Sequence, residues 1–259
     1  MLKWFYLSFM LPWIFASVSV AAPRDAGIIA STAQFESGGK PVAIDVLAPA
    51  NVERDKKLPA VILVHGFDGL KGSLIDYRKH AKDLALRGYI VLIPHYFEAT
   101  QSNVLDPAKF LGEMAKNGPV WAKVVQDCVA FASKQPEIDE KRIGLLGFSL
   151  GSYLAIYVAA IDTKVAAVVE YFGGASPGVD QLLNKRPPIL ILHGDKDKSV
   201  SVDEAKKLAT ICTDRDIDNE MKIYKGAGHG FYGPDDDDAR KRAVEWFELK
   251  MPAKGVKQK

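Results

Sequence analysis

The chain has 259 residues, 48% of them hydrophobic, with a formal net charge of +2 and two cysteines. That length and apolar content suffice to bury one substantial core. The near-neutral balance, with basic residues scattered, argues against nucleic acid as a partner.

The first segment reads as a targeting leader. Lys3 supplies a positive start, residues 4–20 are uncharged and largely apolar, and Ser19-Val20-Ala21 offers small residues for cleavage before Ala22. An uncleaved anchor is the competing reading. A span needs about 20 apolar residues, and Pro12 interrupts this one. The expected organisation is a signal peptide at 1–21, a single domain at 22–250 and a basic, disordered tail at 251–259. The expected destination is periplasmic or secreted, with no stable membrane anchor after cleavage. Export makes a Cys128–Cys212 disulfide conceivable, although each cysteine also fits as a small core residue on its own helix.

Residues 27–33 and 41–47 read as an edge hairpin joined by Ser37-Gly38-Gly39-Lys40. Strands and helices then alternate, the pattern of a mainly parallel sheet with helices on both faces. Pro59-Ala60-Val61-Ile62-Leu63-Val64 is a buried strand running into His65-Gly66-Phe67-Asp68-Gly69. A helix is predicted over 73–86, with Gly88 ending it. The next strand is Ile90-Val91-Leu92-Ile93-Pro94. Residues 97–118 follow a strand end and are the best candidate for a lid or pocket wall. Within them Asp106-Pro107 opens a short helix, Asn117-Gly118 stops it, and Pro119 starts a second helix carrying Trp121, Val124, Val125 and Cys128 on its apolar face.

Arg142-Ile143-Gly144-Leu145-Leu146 runs into Gly147-Phe148-Ser149-Leu150-Gly151, a strand-to-helix turn with serine at its apex. Pro188-Ile189-Leu190-Ile191-Leu192 is another buried strand and leads into a loop with two candidate acids, Asp195 and Asp197. Ser201-Val202-Asp203-Glu204 has the pattern of a helix cap. Met221-Lys222-Ile223-Tyr224 precedes Gly226-Ala227-Gly228-His229-Gly230-Phe231, which frees His229 from packing. Asp235 to Asp238 open the last helix, where acids suit the dipole better than they suit calcium.

Serine is a weak nucleophile at neutral pH. It needs an adjacent base, and the base needs a carboxylate to fix its tautomer. Ser149, an acid of the 195–197 loop and His229 occur in the chain order of such a triad, each after a predicted strand. An oxyanion hole is expected from the backbone N–H groups of Leu150 and Phe67, with His65 holding its loop by a structural hydrogen bond.

Val61 to Gly69, Gly147 to Gly151, His193-Gly194-Asp195-Lys196-Asp197 and Gly226 to Phe231 resemble the dienelactone hydrolase branch of the α/β-hydrolases. The resemblance implies that fold, makes Asp197 the catalytic acid, and spans roughly 40–250. The namesake enzymes carry a cysteine nucleophile, a glutamate in the first loop and an arginine four residues past the histidine. Here those positions hold Ser149, Gly66 and Gly233. The expected activity is hydrolysis of a small-molecule ester through an acyl-enzyme, with no cofactor and no metal. A prolyl-oligopeptidase-like peptidase and a non-catalytic binding protein on the same scaffold are the alternatives.

Overall fold

The computed structural model describes residues 27–52, 56–103, 109–183 and 187–253. The leader at 1–21 and the tail from residue 254 lie outside the described residues. The chain begins with the expected hairpin, β1 (Ile28–Ser37) and β2 (Lys40–Pro49), paired from Ile28↔Pro49 to Ser37↔Lys40. Gly38 and Gly39 turn it with φ of +58° and +75°, a conformation that matches strand twist and that glycine adopts without strain. Both strands outrun their predicted lengths. Alternate residues Val42, Ile44 and Val46 face the core and hold the register.

Six further strands complete one sheet. They are β3 (Leu58–Val64), β4 (Ile90–Pro94), β5 (Ile138–Phe148), β6 (Val165–Tyr171), β7 (Ile189–Gly194) and β8 (Asn219–Tyr224). The order is β1-β2-β4-β3-β5-β6-β7-β8, parallel from β4 to β8, with β2 antiparallel to β4. β3 and β5 are neighbours although β4 intervenes in sequence. The direction of strand addition reverses there, and ligands bind beyond the strand C-termini at such a point.

Helices cover both faces, as the alternating pattern implies. On one side α2 (Phe110–Ala132), α3 (Leu150–Ile161) and α5 (Val202–Asp214) pack Trp121, Leu154 and Leu208 onto Ile62, Leu145 and Ile191. On the other, α1 (Gly69–Leu86) and α6 (Pro234–Lys250) pack Leu84 and Phe247 onto Val61 and Leu146. A short α4 (Val179–Leu182) lies between β6 and β7. Ser201 caps α5 by accepting the Asp203 N–H at 3.2 Å.

Two expectations are corrected. α2 runs unbroken through Asn117-Gly118-Pro119, where a stop and restart were expected. The Asn117 amide donates to the Glu113 carboxylate (2.6 Å) instead of competing for the backbone. Burial of Trp121, Val124, Val125 and Cys128 then outweighs the local helix-breaking preference. The tail expected at 251–259 begins too early, because Met251 is fully buried and Arg142 Nη1 donates to the Pro252 carbonyl (2.5 Å). Gly144 makes room for it: a Cβ there would stand 2.6 Å from both Met251 Cε and Phe247 Cε1. The cysteines form no disulfide, and each is a buried thiol on its own helix.

Candidate active site

The turn after β5 is strained where the sequence places the serine. Ser149 has φ 52° and ψ −115°, and its N–H is held by the Tyr171 carbonyl at 2.9 Å. The flanking glycines are required by close approach. A Cβ on Gly147 would meet Gly151 O at 2.5 Å, and one on Gly151 would meet Val64 O at 2.1 Å. The side chain of Ser149 therefore stands at the mouth of β3 and β5, above the N-terminus of α3.

The acid and the base arrive from the next loops. A Cβ on Gly194 would lie 2.4 Å from Ala227 O, so the two loops are pressed together. Asp197 has no exposed side-chain surface. Its Oδ1 accepts the N–H groups of Ser199 (2.8 Å) and Val200 (2.9 Å), which leaves Oδ2 for His229 Nδ1 at 2.8 Å. His229 Nε2 lies 2.9 Å from Ser149 Oγ. Because Nδ1 faces a carboxylate, it carries the proton, and Nε2 accepts from the serine hydroxyl. Asp195 does not reach His229. Its Oδ1 accepts the Gly226 N–H at 2.6 Å and anchors the loop that carries the histidine.

The loop after β3 is tightly held. Gly66 N–H donates to Tyr77 Oη (2.9 Å), Tyr77 Oη donates to Asp68 Oδ1 (2.9 Å), and Tyr96 Oη donates to the His65 carbonyl (2.9 Å). His65 has the structural role expected of it. Its Nδ1 donates to Gly66 O at 2.8 Å, the ring stacks on Tyr96, and burial pushes its pKa down to about 3. Phe67 lines the same cavity as Ser149. Leu150 is the first residue of α3, where a backbone N–H has no acceptor within the helix.

The cavity above Ser149 has a volume of about 240 Å³. Phe67, Tyr77, Phe148, Phe172, Phe231 and Tyr232 give it an aromatic wall, and Asp68, Lys79, His80 and Asp236 supply its polar rim and floor. Phe172, in the loop after β6, meets the His229 ring edge-on at 4.9 Å. His80 is buried between Phe148 and Tyr171, and desolvation holds its pKa down at about 3.

Much of this wall was not anticipated. Segment 97–118 was the expected lid, yet none of its described residues lines the cavity. Phe97 instead packs on His65 and Trp121, and Trp121 Nε1 donates to Thr100 Oγ1 (2.7 Å). Residues 104–108 lie outside the described ones. Beside the strand-end loops, the wall comes from α1 and from 230–236. The available signal was Gly230 and Gly233 bracketing two aromatic residues directly after the histidine.

Among the described residues no group of His, Cys, Asp or Glu is arranged to hold a metal ion. The acids opening α6 are engaged in ion pairs, Asp236 and Asp237 with Arg240 and Asp238 with Arg242. Burial pushes both thiols up, Cys212 to about 12, so neither cysteine supplies a thiolate.

Comparison with known proteins gives the family and the fold. The family model of the dienelactone hydrolase family matches residues 45–251. A candidate carboxymethylenebutenolidase of Aquifex aeolicus is 28% identical over 198 residues, covering 74% of this chain and 85% of that protein. The carboxymethylenebutenolidase of Rhodococcus opacus is 25% identical over 192 residues, 66% of this chain and 75% of its own length. Among solved structures, a dienelactone hydrolase-like promiscuous phosphotriesterase from metagenomic libraries superposes with a TM-score of 0.72 at 17% identity, covering 86% of this chain and 99% of that one. That likeness carries the α/β-hydrolase fold.

Proposed function

The chain belongs to the dienelactone hydrolase family and is an ester hydrolase of the α/β-hydrolase fold, and from that premise we propose that it is an exported serine esterase of small, neutral esters or lactones. The observation that carries the reading is the continuous run of hydrogen bonds from Asp197 through His229 to Ser149 (2.8 and 2.9 Å), opening onto a compact cavity.

In this mechanism Ser149 Oγ attacks the substrate carbonyl as His229 Nε2 takes its proton. Asp197 holds Nδ1–H and stabilises the imidazolium. The backbone N–H groups of Phe67 and Leu150 receive the developing oxyanion. His229 then protonates the leaving alcohol, and water, deprotonated by the same nitrogen, releases the acyl group.

Substrate charge follows from the rim. Gly233, with φ +56°, starts α6 at the position where the namesake enzymes carry an arginine, so no carboxylate clamp extends from it. Among the described lining residues the carboxylates of Asp68 and Asp236 stand against the ammonium of Lys79, and His80 is held neutral. A buried substrate carboxylate would be poorly compensated there. Export rests on the leader pattern of Lys3, the apolar stretch and Ser19-Val20-Ala21.

One experiment tests both parts. Protein purified from the exported fraction of a bacterial host, with Ala22 as its first residue by intact mass, should turn over p-nitrophenyl acetate or butyrate. Its kcat/KM for a dienelactone bearing a free carboxylate should be lower by about tenfold or more. A far better turnover of the anionic lactone contradicts the charge argument. No ester turnover, or recovery with Met1 intact in membranes, contradicts the rest.

A further inference from the structure

A polar cluster that this mechanism does not use lies behind Asp197. Glu170 sits in β6 between Val169 and Tyr171 and has no exposed surface. Neighbours along a strand face opposite sides, so Glu170 points away from the face that carries Tyr171. It is paired with Ile191 of β7, and His193, two residues on, shares its face. His193 is fully buried as well.

Each side chain uses one polar atom and leaves one without a partner. Glu170 Oε2 accepts the Gly173 N–H at 2.8 Å, and Oε1 has no partner. His193 Nε2 donates to the Val200 carbonyl at 3.0 Å and lies 3.4 Å from Asp197 Oδ2, while Nδ1 has no partner. The two orphan atoms are chemically complementary. Since Nε2 carries the ring proton, Nδ1 of the neutral ring is an acceptor. Since Oε2 accepts from an amide, a protonated Glu170 offers its O–H at Oε1. Buried polar atoms rarely go unsatisfied, and two that stand too far apart for a direct hydrogen bond, on the same face of adjacent strands, are satisfied together by one bridging water.

Glu170 also governs the cavity wall. The loop it holds contains Phe172, whose φ of +41° is strained for a non-glycine residue. That loop is fixed by the Phe172 N–H to Leu192 O (2.8 Å) and by Gly173, whose added Cβ would stand 2.2 Å from Ser152 Cβ. Its ring in turn abuts His229.

We propose that Glu170 is a positioning residue of the hydrolytic site: as a neutral acid it donates to a water that bridges it to His193 Nδ1 and so steadies the ring against Asp197, and through Gly173 it holds Phe172 against His229. The proposal rests on the serine-esterase reading. No proton passes through Glu170 during turnover.

The surroundings favour the neutral form. Desolvation raises the Glu170 pKa to about 8 and lowers that of His193. The groups facing the cluster are Ser152 and Tyr153 on α3, Glu204 and Cys212 on α5, Asp197 on the acid loop and His229 on the loop after β8. Burial keeps the Tyr153 phenol and the Cys212 thiol protonated, and desolvation is the cause that holds Glu170 in its neutral form. Above about pH 8 Glu170 ionises. It then loses its donor and sets a charge against the Nδ1 lone pair. Its raised folded-state pKa contributes stability in full below the ordinary glutamate range, and that contribution is lost as pH rises through about 8.

The test compares wild type, Glu170→Gln and Glu170→Leu in kcat and KM for a neutral p-nitrophenyl ester, and in Tm, from about pH 5 to about pH 10. Gln reproduces the protonated acid, with a carbonyl for Gly173 and an N–H for the water that bridges to His193. Wild-type kcat should fall several-fold above about pH 8, and Glu170→Gln should lose that fall while staying within about threefold at pH 7. Glu170→Leu should lose about tenfold in kcat at pH 7 with KM little changed. The Tm of Glu170→Gln relative to wild type should rise with pH. An unchanged alkaline fall in Glu170→Gln, or a Tm difference flat across pH, overturns the proposal. The Tm series reads the Glu170 proton without turnover, so it separates failure of this inference from failure of the esterase reading, and it needs only Glu170→Gln if the leucine variant does not fold.

Discussion

The two faces of the sheet carry opposite chemistry around the same serine. The cavity face is a wall of rings, with Tyr171 stacked on Phe148 and Phe231 against both Tyr171 and Phe172. Its polar tips are satisfied within the wall, as where Tyr171 Oη donates to the Ala239 carbonyl at 2.8 Å. The far face is packed with Ile191 and Val168 but holds buried Glu170, His193 and Ser152 at the strand ends. Aromatic packing is weakly directional and tolerates reshaping. A buried hydrogen-bonded network does not, because each partner lost leaves another group unsatisfied. The front should therefore set which ester enters, and the back should set how well the triad is aligned.

Changes at the triad itself should have the largest effect. Asp197→Asn is expected to lower kcat by about 10³-fold or more, because the amide favours the wrong tautomer of His229. Asp195→Asn should change kcat only a few-fold, because its carboxylate holds Gly226 and not the histidine. Steady-state kinetics of the two variants decide this, and the reverse ordering would place the catalytic acid at the other residue. The back-face variants of Glu170 come next in size.

A smaller effect is expected at the front. Phe172→Ala removes a ring from the wall, yet it leaves the Gly173 amide on Glu170. KM for aryl or longer-acyl esters should rise several-fold, and kcat should fall by less than the loss expected for Glu170→Leu, because only the ring contact to His229 is removed. A kcat loss as large as that of Glu170→Leu would show that the two faces do not divide the work in this way.

The candidate constellation of Ser149, His229 and Asp197 was legible because it rests on local signals. Gly147 and Gly151 flank Ser149 where backbones nearly touch, and the acid and histidine loops each follow a buried strand. The helical part of the cavity wall was not legible, because Tyr77 and His80 depend on how α1 lies across the sheet. Segment 97–118 misled for the same reason. Its place after a strand end pointed to a pocket wall, but Phe97 completes the core under His65. Helix α2 shows burial overriding a Gly-Pro stop, and Met251 shows a core residue hidden in an apparent tail. Glu170 left one trace in the sequence: a carboxyl inside Val165-Ala166-Ala167-Val168-Val169-Glu170-Tyr171, a strand otherwise free of charge.

The central claim is that Ser149 is an activated nucleophile held by His229 and Asp197. The most direct measurement is intact-mass and peptide analysis of wild type and Ser149→Ala after brief exposure to a fluorophosphonate at neutral pH. One adduct per chain is expected, on the peptide containing Ser149, with ester turnover lost in step and no adduct on a folded Ser149→Ala variant. An unlabelled wild type, or a label on another residue with activity lost, would contradict it.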